Sequence, residues 1–422
     1  MFTFIHAADI HLDSPLIKLD LHENSPARAL RQATRCATEN LVRLALSERV
    51  DFVLVSGDLY DGDWKDYNTG LYFISQMTRL RDAAIPVYII AGNHDAASRM
   101  TKTLRLPDGV TMLSAAEPQT FRLEHIGAAI HGQSFRTRAE LNDLSASYPA
   151  AVPGLFNIGM LHTCATGRDG HEPYAPCSVD ALRLKGYDYW ALGHVHQNEV
   201  LCPDPLIVFS GNIQGRHIRE AGPKGCMLVT VDDSGRANAE FRALDVIRWE
   251  RIVLDASGMD AAADVVDHIS NEISEVLDRN EDLPLIVRVE IAGGCPAHAE
   301  LAADAERWVN EVRSAAIAAS GSRVCVEKVK IRTRAPAVGH GSLEMAGGPP
   351  GELLRFIEEV RSDGMRLQEL GLSLRELWNK LPRELKESHE AIRPDDPVWL
   401  AELLDQAGPL LLRRLLTAGE KP

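Results

Sequence analysis

The chain has 422 residues, 45% hydrophobic and 25% charged, and a net charge of −15 at pH 7. That length exceeds one ordinary domain, and the balance is that of a globular protein rather than a disordered or fibrous one. The acidic charge excludes a surface coated in basic residues for nucleic acid, while leaving room for a local basic track or a metal-neutralised site. No stretch approaches about 20 consecutive apolar residues, so no transmembrane helix and no membrane partner are expected. The opening "MFTFIHAADIHLDSPL" has no basic n-region and no long apolar h-region, which argues against a signal peptide. Seven cysteines (Cys36, Cys164, Cys177, Cys202, Cys226, Cys295, Cys325) lie scattered without a C-x-x-C. This odd, unclustered set fits a reducing cytoplasm and argues against a thiolate metal site.

Three regions are expected. Residues 1–245 alternate strand-like and helix-like runs. "FTFIHAAD" reads as a strand, "RALRQATRCATENLVRLALSER" as a helix, "VDFVLVSGD" as a strand, "TGLYFISQMTRLRDA" as a helix and "IPVYIIAGNHD" as a strand with a turn. "AAIHGQSF", "LFNIGMLHT", "GYDYWALGH", "PLIVFSG" and "KGCMLVTVDD" follow as further strands. Such alternation predicts a layered α/β domain with sheet at its centre. Residues 246–335 read as a compact β-α-β-α-β unit, from "IRWERIVLDAS" to "RVCVEKVKIRT", with helices in "AAADVVDHISNEISEVLDR" and "AELAADAERWVNEVRSAAIAAS". Residues 336–422 hold a Gly- and Pro-rich linker and then helices in "LLRFIEEVRS", "SLRELWNKL" and "WLAELLDQAGPLLLRRLLT". Their apolar positions recur at helical spacing, so each stripe must be covered by its neighbours or by a partner.

The chemistry sits where the first region's strands end. Asp9 and His11 follow the first strand, Asp58 follows "VLVSG", and Asn93 with His94 follows "VYIIAG". His162 follows "FNIGML", and His194 and His196 follow "YWALG". On extended backbone, residues i and i+2 point the same way, so Asp9 with His11 and His194 with His196 read as side-by-side pairs. Ligands of α/β sheets gather at such strand ends. Two Asp, one Asn and four His suit divalent ions such as Mn²⁺, Fe²⁺ or Zn²⁺. Seven ligands are too many for one ion and adequate for two sharing a carboxylate. Two ions about 3.5–4 Å apart are a standard device for hydrolysing a phosphoester. A lone D-x-H or H-x-H is usually structural. The ordered set D-x-H, G-D-x-x-D, G-N-H-D, H, G-H-x-H is hard to reach by chance.

Those elements, "DIH", "GDLYD", "GNHD", "LHT" and "GHVH", resemble the motifs of calcineurin-like metallophosphoesterases. "FIHAADIHLDSPL" narrows the resemblance to the DNA-repair exonuclease branch, the SbcD-type nuclease subunits. "GNIQGRHI" (Gly211–Ile218) is shared with the bacterial YhaO-like exonucleases within it. The resemblance implies a layered α/β β-sandwich flanked by helices, a small α+β capping domain and a helical C-terminal region. It implies a two-metal DNA nuclease, a 3′→5′ exonuclease with some endonuclease activity, and two Mn²⁺ ions. Asp9, His11 and His196 would bind one ion, Asn93, His162 and His194 the other, and Asp58 would bridge. His94 would face the scissile phosphate, with Asp95 orienting its ring. Archaeal and eukaryotic relatives carry a histidine three residues after the bridging aspartate. This chain has Asp61 there, as bacterial members do. Implied partners are DNA, an SMC-like ATPase docked on the C-terminal helices, and a second copy of the chain.

Other readings stay open. A metallophosphoesterase of different specificity is the second, although "GDLYDGD" and "GNHD" depart from the G-D-x-x-D-R-G and G-N-H-E of protein phosphatases. A scaffold that kept the fold without activity is the third. His6 and His131 are read as structural, and the remaining histidines as structural or solvated. Trp308 is read as the buried face of a capping helix. Arg216 and His217 are candidates to approach a phosphate, and Arg28, Arg31 and Arg35 are a candidate basic track along one helix face.

Overall fold

The computed structural model describes residues 1–14, 27–61, 67–97, 105–165, 174–281, 283–321, 323–336, 348–381 and 393–418. His22, His340 and His389, the side chains of Arg28 and Arg31, and most of the linker lie outside the described residues. The chain divides into two compact units. One comprises Met1–Arg251, Leu277–Val287 and Ser322–Glu327, and the other Ile252–Val276, Arg288–Gly321 and Lys328–Pro422. This division differs from the boundaries at 245 and 335 expected from sequence, because it passes within strands rather than between elements.

The first unit carries strands β1 (Phe2–Ala7), β2 (Phe52–Ser56), β3 (Val87–Ile90), β4 (Val110–Met112), β5 (Gln119–Leu123) and β6 (Ala128–Gly132). They continue with β7 (Phe156–His162), β8 (Tyr189–Gly193), β9 (Glu199–Pro203), β10 (Leu206–Phe209), β11 (Gly225–Val231) and β12 (Ala237–Ala243). Its helices include α1 (Ala27–Glu48), α2 (Tyr67–Asp82), α3 (Asn93–Ala97) and α4 (Val179–Leu184). One sheet has the order β12-β11-β1-β2-β3-β4, the other β5-β6-β7-β8-β10-β9. Strands β1 to β4 run parallel, as do β6, β7, β8 and β10.

The two sheets face each other across one core. Phe4 and Phe52 of the first stack at 4.9 Å and pack with Ile130, Ile158, Met160 and Tyr189 of the second. On its outer face the first sheet offers Ile5, Val53 and Ile89 to Leu41, Ala45, Phe73 and Met77 of α1 and α2. A strand buried on both faces must be apolar at nearly every position, which is why β1, β2 and β3 read as continuous hydrophobic runs. Strands β4, β5, β9 and β12 escaped the sequence reading. They lie at or next to sheet edges, and β5 and β12 alternate exposed polar with half-buried residues.

The expected β-α-β-α-β order is present as β13 (Arg248–Asp255), α5 (Ala262–Arg279), β14 (Leu285–Gly294), a helical stretch and β15 (Val324–Arg334). The stretch read as one helix is two, α6 (His298–Ala303) and α7 (Ala305–Ser320). Asp304 leaves the helical region (φ −146°, ψ 66°) and its carboxylate accepts the Arg307 N–H at 3.1 Å, so it stops one helix and caps the next. Trp308 is buried, and its indole donates to the Glu300 carbonyl.

The C-terminal helices are α8 (Pro349–Ser362), α9 (Gly364–Lys380) and α10 (Pro397–Ala418). Their stripes cover one another: Val360, Leu367 and Leu400 form a cluster with Leu370, Leu374, Trp399 and Leu404. Phe356, Leu372 and Leu377 stay exposed on the outside. No described helix is long and apolar enough to cross a membrane, and all seven cysteines are free thiols.

Candidate metal centre

All the candidate ligands lie at the C-terminal ends of parallel strands, Asp9, His11, Asp58 and Asn93 from one sheet and His162, His194 and His196 from the other. Of the side-by-side pairs expected on extended backbone, Asp9 and His11 do reach one group, from turns rather than a strand, but His194 and His196 do not stay together. Strand β1 stops at Ala7 and β8 at Gly193, and Asp9 (φ 50°), His11 (φ 45°), Asp58 (φ 52°) and His194 (φ 97°) take left-handed backbone. Non-glycine residues adopt that region at a cost of order 1–3 kcal/mol each, and it concentrates where function demands it. Backbone bonds hold it here: Asp9 N–H donates to Gly57 O at 3.0 Å and His11 N–H to Asp58 O at 3.0 Å. The turn at His194 sends His194 and His196 into different groups of ligands.

Asp9, His11 and His196 form one group, and Asp58, His162 and His194 another, with ligand atoms within 4.8 Å of each other in each. Asn93 joins the second, its Oδ1 lying 3.0 Å from His162 Nε2. Asp58 Oδ2 is 3.5 Å from His162 Nε2 and 3.9 Å from His11 Nε2, so this carboxylate stands between the groups. The Asp9 carboxylate also accepts the His194 N–H, at 3.0 and 3.1 Å.

The contacts fit a cation at both places. His162 Nδ1 lies 2.9 Å from the Ser56 carbonyl, an acceptor, so whenever the ring is neutral it is this nitrogen that holds the proton. Its Nε2 is then an acceptor facing the Asn93 oxygen, another acceptor. In the other group His11 Nε2 faces His196 Nε2 at 3.2 Å. Burial opposes charge on His162, but Asp58 and Asp9 prevail and push its pKa up to about 9. Carboxylates that hold a proton this tightly are asking for positive charge. Burial, with Arg216 nearby, drives the His11 pKa down to about 3, leaving a neutral ring able to ligate. Two carboxylates, one carboxamide and four imidazoles suit a pair of divalent ions.

Glycine makes the close approach of the sheets possible. A Cβ on Gly193 would lie 1.9 Å from the Ser56 carbonyl oxygen, the same atom that holds His162. Replacing Gly193 with alanine is therefore expected to exceed the ordinary overpacking loss of about 1–3 kcal/mol. It should also displace His162, visible as a lower melting temperature together with lost metal. A variant that melts like wild type would contradict this packing.

His94 opens toward solvent beside the two groups, its side chain 32% exposed. The structure corrects the role expected of Asp95. Asp95 is buried and accepts the N–H groups of Leu59, Tyr60 and Gly92 at 2.9–3.1 Å, which ties the loops after β2 and β3 together. The group that meets the His94 ring is Asp61, at 2.8 Å from Nδ1. Burial disfavours the His94 imidazolium, but Asp61 and Asp58 outweigh it and raise its pKa.

Arg216 lies at the same rim, its guanidinium 3.3 Å from Ser14 Oγ and 3.7 Å from Asp61. Glu220, which sequence reasoning passed over, accepts from His196 Nδ1 at 2.7 Å and from Arg216 at 3.0 Å. The only signal available was its place two residues past "GNIQGRHI". His217 is half-exposed and 3.5 Å from Glu220. His6 and His131 are structural: His6 bonds to Tyr189 OH and Leu192 O, and His131 bonds to Thr120 and Asn157 and stacks on Tyr187. Arg35 forms a two-bonded pair with Asp13, so it is not a loose cation of a basic track.

Residues 2–198 match the family model of calcineurin-like phosphoesterases, and residues 249–334 that of the middle domain of the metallophosphoesterase YhaO. The chain is 35% identical over 299 residues to an uncharacterised metallophosphoesterase, YhaO, of Bacillus subtilis, covering 70% of this chain and 72% of the relative. It is 24% identical over 306 residues to a DNA double-strand break repair protein, Mre11, of Sulfolobus acidocaldarius, covering 69% and 75%. Among solved structures, a dimetal phosphatase from Danio rerio aligns with a TM-score of 0.38 at 13% identity, over 58% of this chain and 96% of that one. Sandwich, strand-end ligands and matched relatives agree: this chain belongs to the calcineurin-like metallophosphoesterases, in the YhaO-like group, a family of metal-dependent hydrolases.

Proposed function

We propose that this chain is a two-metal phosphodiesterase whose substrate is DNA, degraded from the 3′ end, with Mn²⁺ as the working ion. The observation that carries the two-metal reading is the position of Asp58 between two complete groups of ligands. Bound there, a pair of divalent ions supplies the charge that activates water and stabilises a phosphoester's transition state. Asp9, His11 and His196 would hold one, Asn93, His162 and His194 the other, with Asp58 shared. His94, steadied by Asp61, stands beside them with an exposed edge, placed to donate a proton or hydrogen bond to a phosphate. Arg216 adds a guanidinium at the rim.

A second observation supports DNA as the substrate class of this acidic protein. On β15 the alternate residues Lys328, Lys330, Arg332 and Arg334 are all basic, and Lys328, Arg332 and Arg334 are exposed. Alternate strand residues share a face, so this is a cationic ladder about 20 Å long. One strand of B-DNA presents about six phosphates over that distance. Matched relatives named as double-strand break repair proteins point the same way.

The test is Mn²⁺-dependent digestion of end-labelled duplex and single-stranded DNA beside the small ester bis-p-nitrophenyl phosphate. Both should be hydrolysed, with label lost first from 3′ ends. Hydrolysis of the small ester without DNA cleavage would shift the reading to other phosphodiesters. In a K328E/R332E/R334E variant, small-ester turnover should stay at wild type while DNA affinity falls. The slope of its affinity against salt should flatten by roughly 0.9 for each phosphate that is no longer neutralised. Unchanged DNA affinity in that variant would place the DNA-binding surface elsewhere.

A further inference from the structure

Glu220 closes the 3₁₀ turn Ile218–Glu220 and is only 4% exposed, yet it is not among the ligands assigned above. Every approach to its carboxylate is taken. Oε2 accepts the Arg216 backbone N–H at 2.7 Å and the Asn212 Nδ2 at 3.0 Å. Oε1 accepts Arg216 Nη2 at 3.0 Å and His196 Nδ1 at 2.7 Å. All four partners are donors, one of them the Arg216 guanidinium, so the buried carboxylate meets them as an acceptor on both oxygens.

A fixed acceptor at Nδ1 decides which nitrogen of His196 carries the proton. Nδ1 must be the donor, so Nε2 turns its lone pair toward Asp9 and His11. Arg216 Nη2, 3.4 Å from the same Nδ1, is itself a donor and cannot play this part. The second group is built differently. There His162 Nδ1 leans on the neutral carbonyl of Ser56. One ligand histidine is thus backed by a full negative charge and the other by a dipole.

We propose that Glu220 is a positioning residue of the metal centre. It sets the tautomer and ring angle of His196 and so the affinity of the Asp9–His11–His196 group for its ion, leaving the Asp58–His162–His194 group alone. This rests on the two-metal reading but not on DNA as substrate. Carboxylates behind ligand histidines contribute about 10–100-fold in metal affinity.

The test is calorimetric titration of the metal-free full-length chain with Mn²⁺ alone, for wild type, E220Q and E220A, with thermal melts of each metal-free protein. Wild type should show two binding steps. In both variants one step should weaken by about 10–100-fold, less in E220Q, while the other stays within about twofold. Glutamine's oxygen still accepts from His196, but its amide nitrogen meets the donors of Asn212 and Arg216. That mismatch should lower the metal-free E220Q melt, so positioning is separated from loss of fold by a melt that is still cooperative and by the second binding step staying within about twofold. Two unchanged steps, or two steps weakened together, would overturn the proposal. If E220A does not fold, E220Q decides by the same criterion. A wild-type chain that binds no Mn²⁺ would overturn the two-metal reading and this role with it, whereas a failure to cleave DNA would leave both intact.

Discussion

Replacing Asp58 with alanine is expected to empty both metal positions and take hydrolysis of bis-p-nitrophenyl phosphate to background. The reason is geometric. Asp58 is buried to 1% exposure, and its Oδ2 lies within 3.5–3.9 Å of a histidine from each group. Its Oδ1 meanwhile accepts the His94 N–H at 2.9 Å. Burial would favour the neutral acid, but the His162 ring, which the carboxylates keep protonated, holds its pKa far below the usual range, so the carboxylate is charged and ready to ligate. Removing it leaves two clusters of mostly neutral rings with no common anion. Asp58→Asn keeps the shape and can still accept from the His94 backbone, so it isolates the charge and should also lose metal. Metal content by inductively coupled plasma mass spectrometry decides the matter. A D58A protein that retained one ion at full occupancy would show that this carboxylate does not bridge.

Replacing His94 with alanine should behave in the opposite way, with metal content at wild type and turnover lower by about 10²–10⁴. The distinction is sharp because His94, His11 and Asp58 also lie close enough to form a ligand group of their own. The structure argues for the other role. The His94 ring is partly open to solvent, and its Nδ1 is already engaged by Asp61 at 2.8 Å. Should the alanine variant lose an ion as D58A does, His94 would be a ligand and the proton-donor role would fall. A loss of turnover below tenfold would equally remove it from the chemistry.

The sequence by itself determined the class of this protein and the membership of its candidate site. Strands β1, β2, β3, β7 and β8 are apolar because each is buried on both faces, and an apolar run that stops abruptly at a polar residue is visible in one dimension. Asp9, His11, Asp58, Asn93, His162, His194 and His196 could therefore be named before any coordinates, as could the helices α1, α2 and α5. Edge strands such as β5 and β12 carry no such signal, since one face meets water and little separates them from loop. What only tertiary structure decided is how the site residues are held. The left-handed turns at Asp9, His11, Asp58 and His194 are held by bonds between loops and sheets; Asp9 and His11 still meet in one group, whereas His194 and His196, expected to point together, diverge. The exchange of Asp61 for Asp95 behind His94 has the same origin. Asp95 is adjacent to His94 in sequence but turns inward to backbone donors, whereas Asp61 arrives from another strand's loop. Glu220 reaches His196 across 24 residues, in a turn that no local pattern predicts. Candidate ligands are local features of strand ends, but their supports are made by proximity in space, and that is written in the packing of the two sheets.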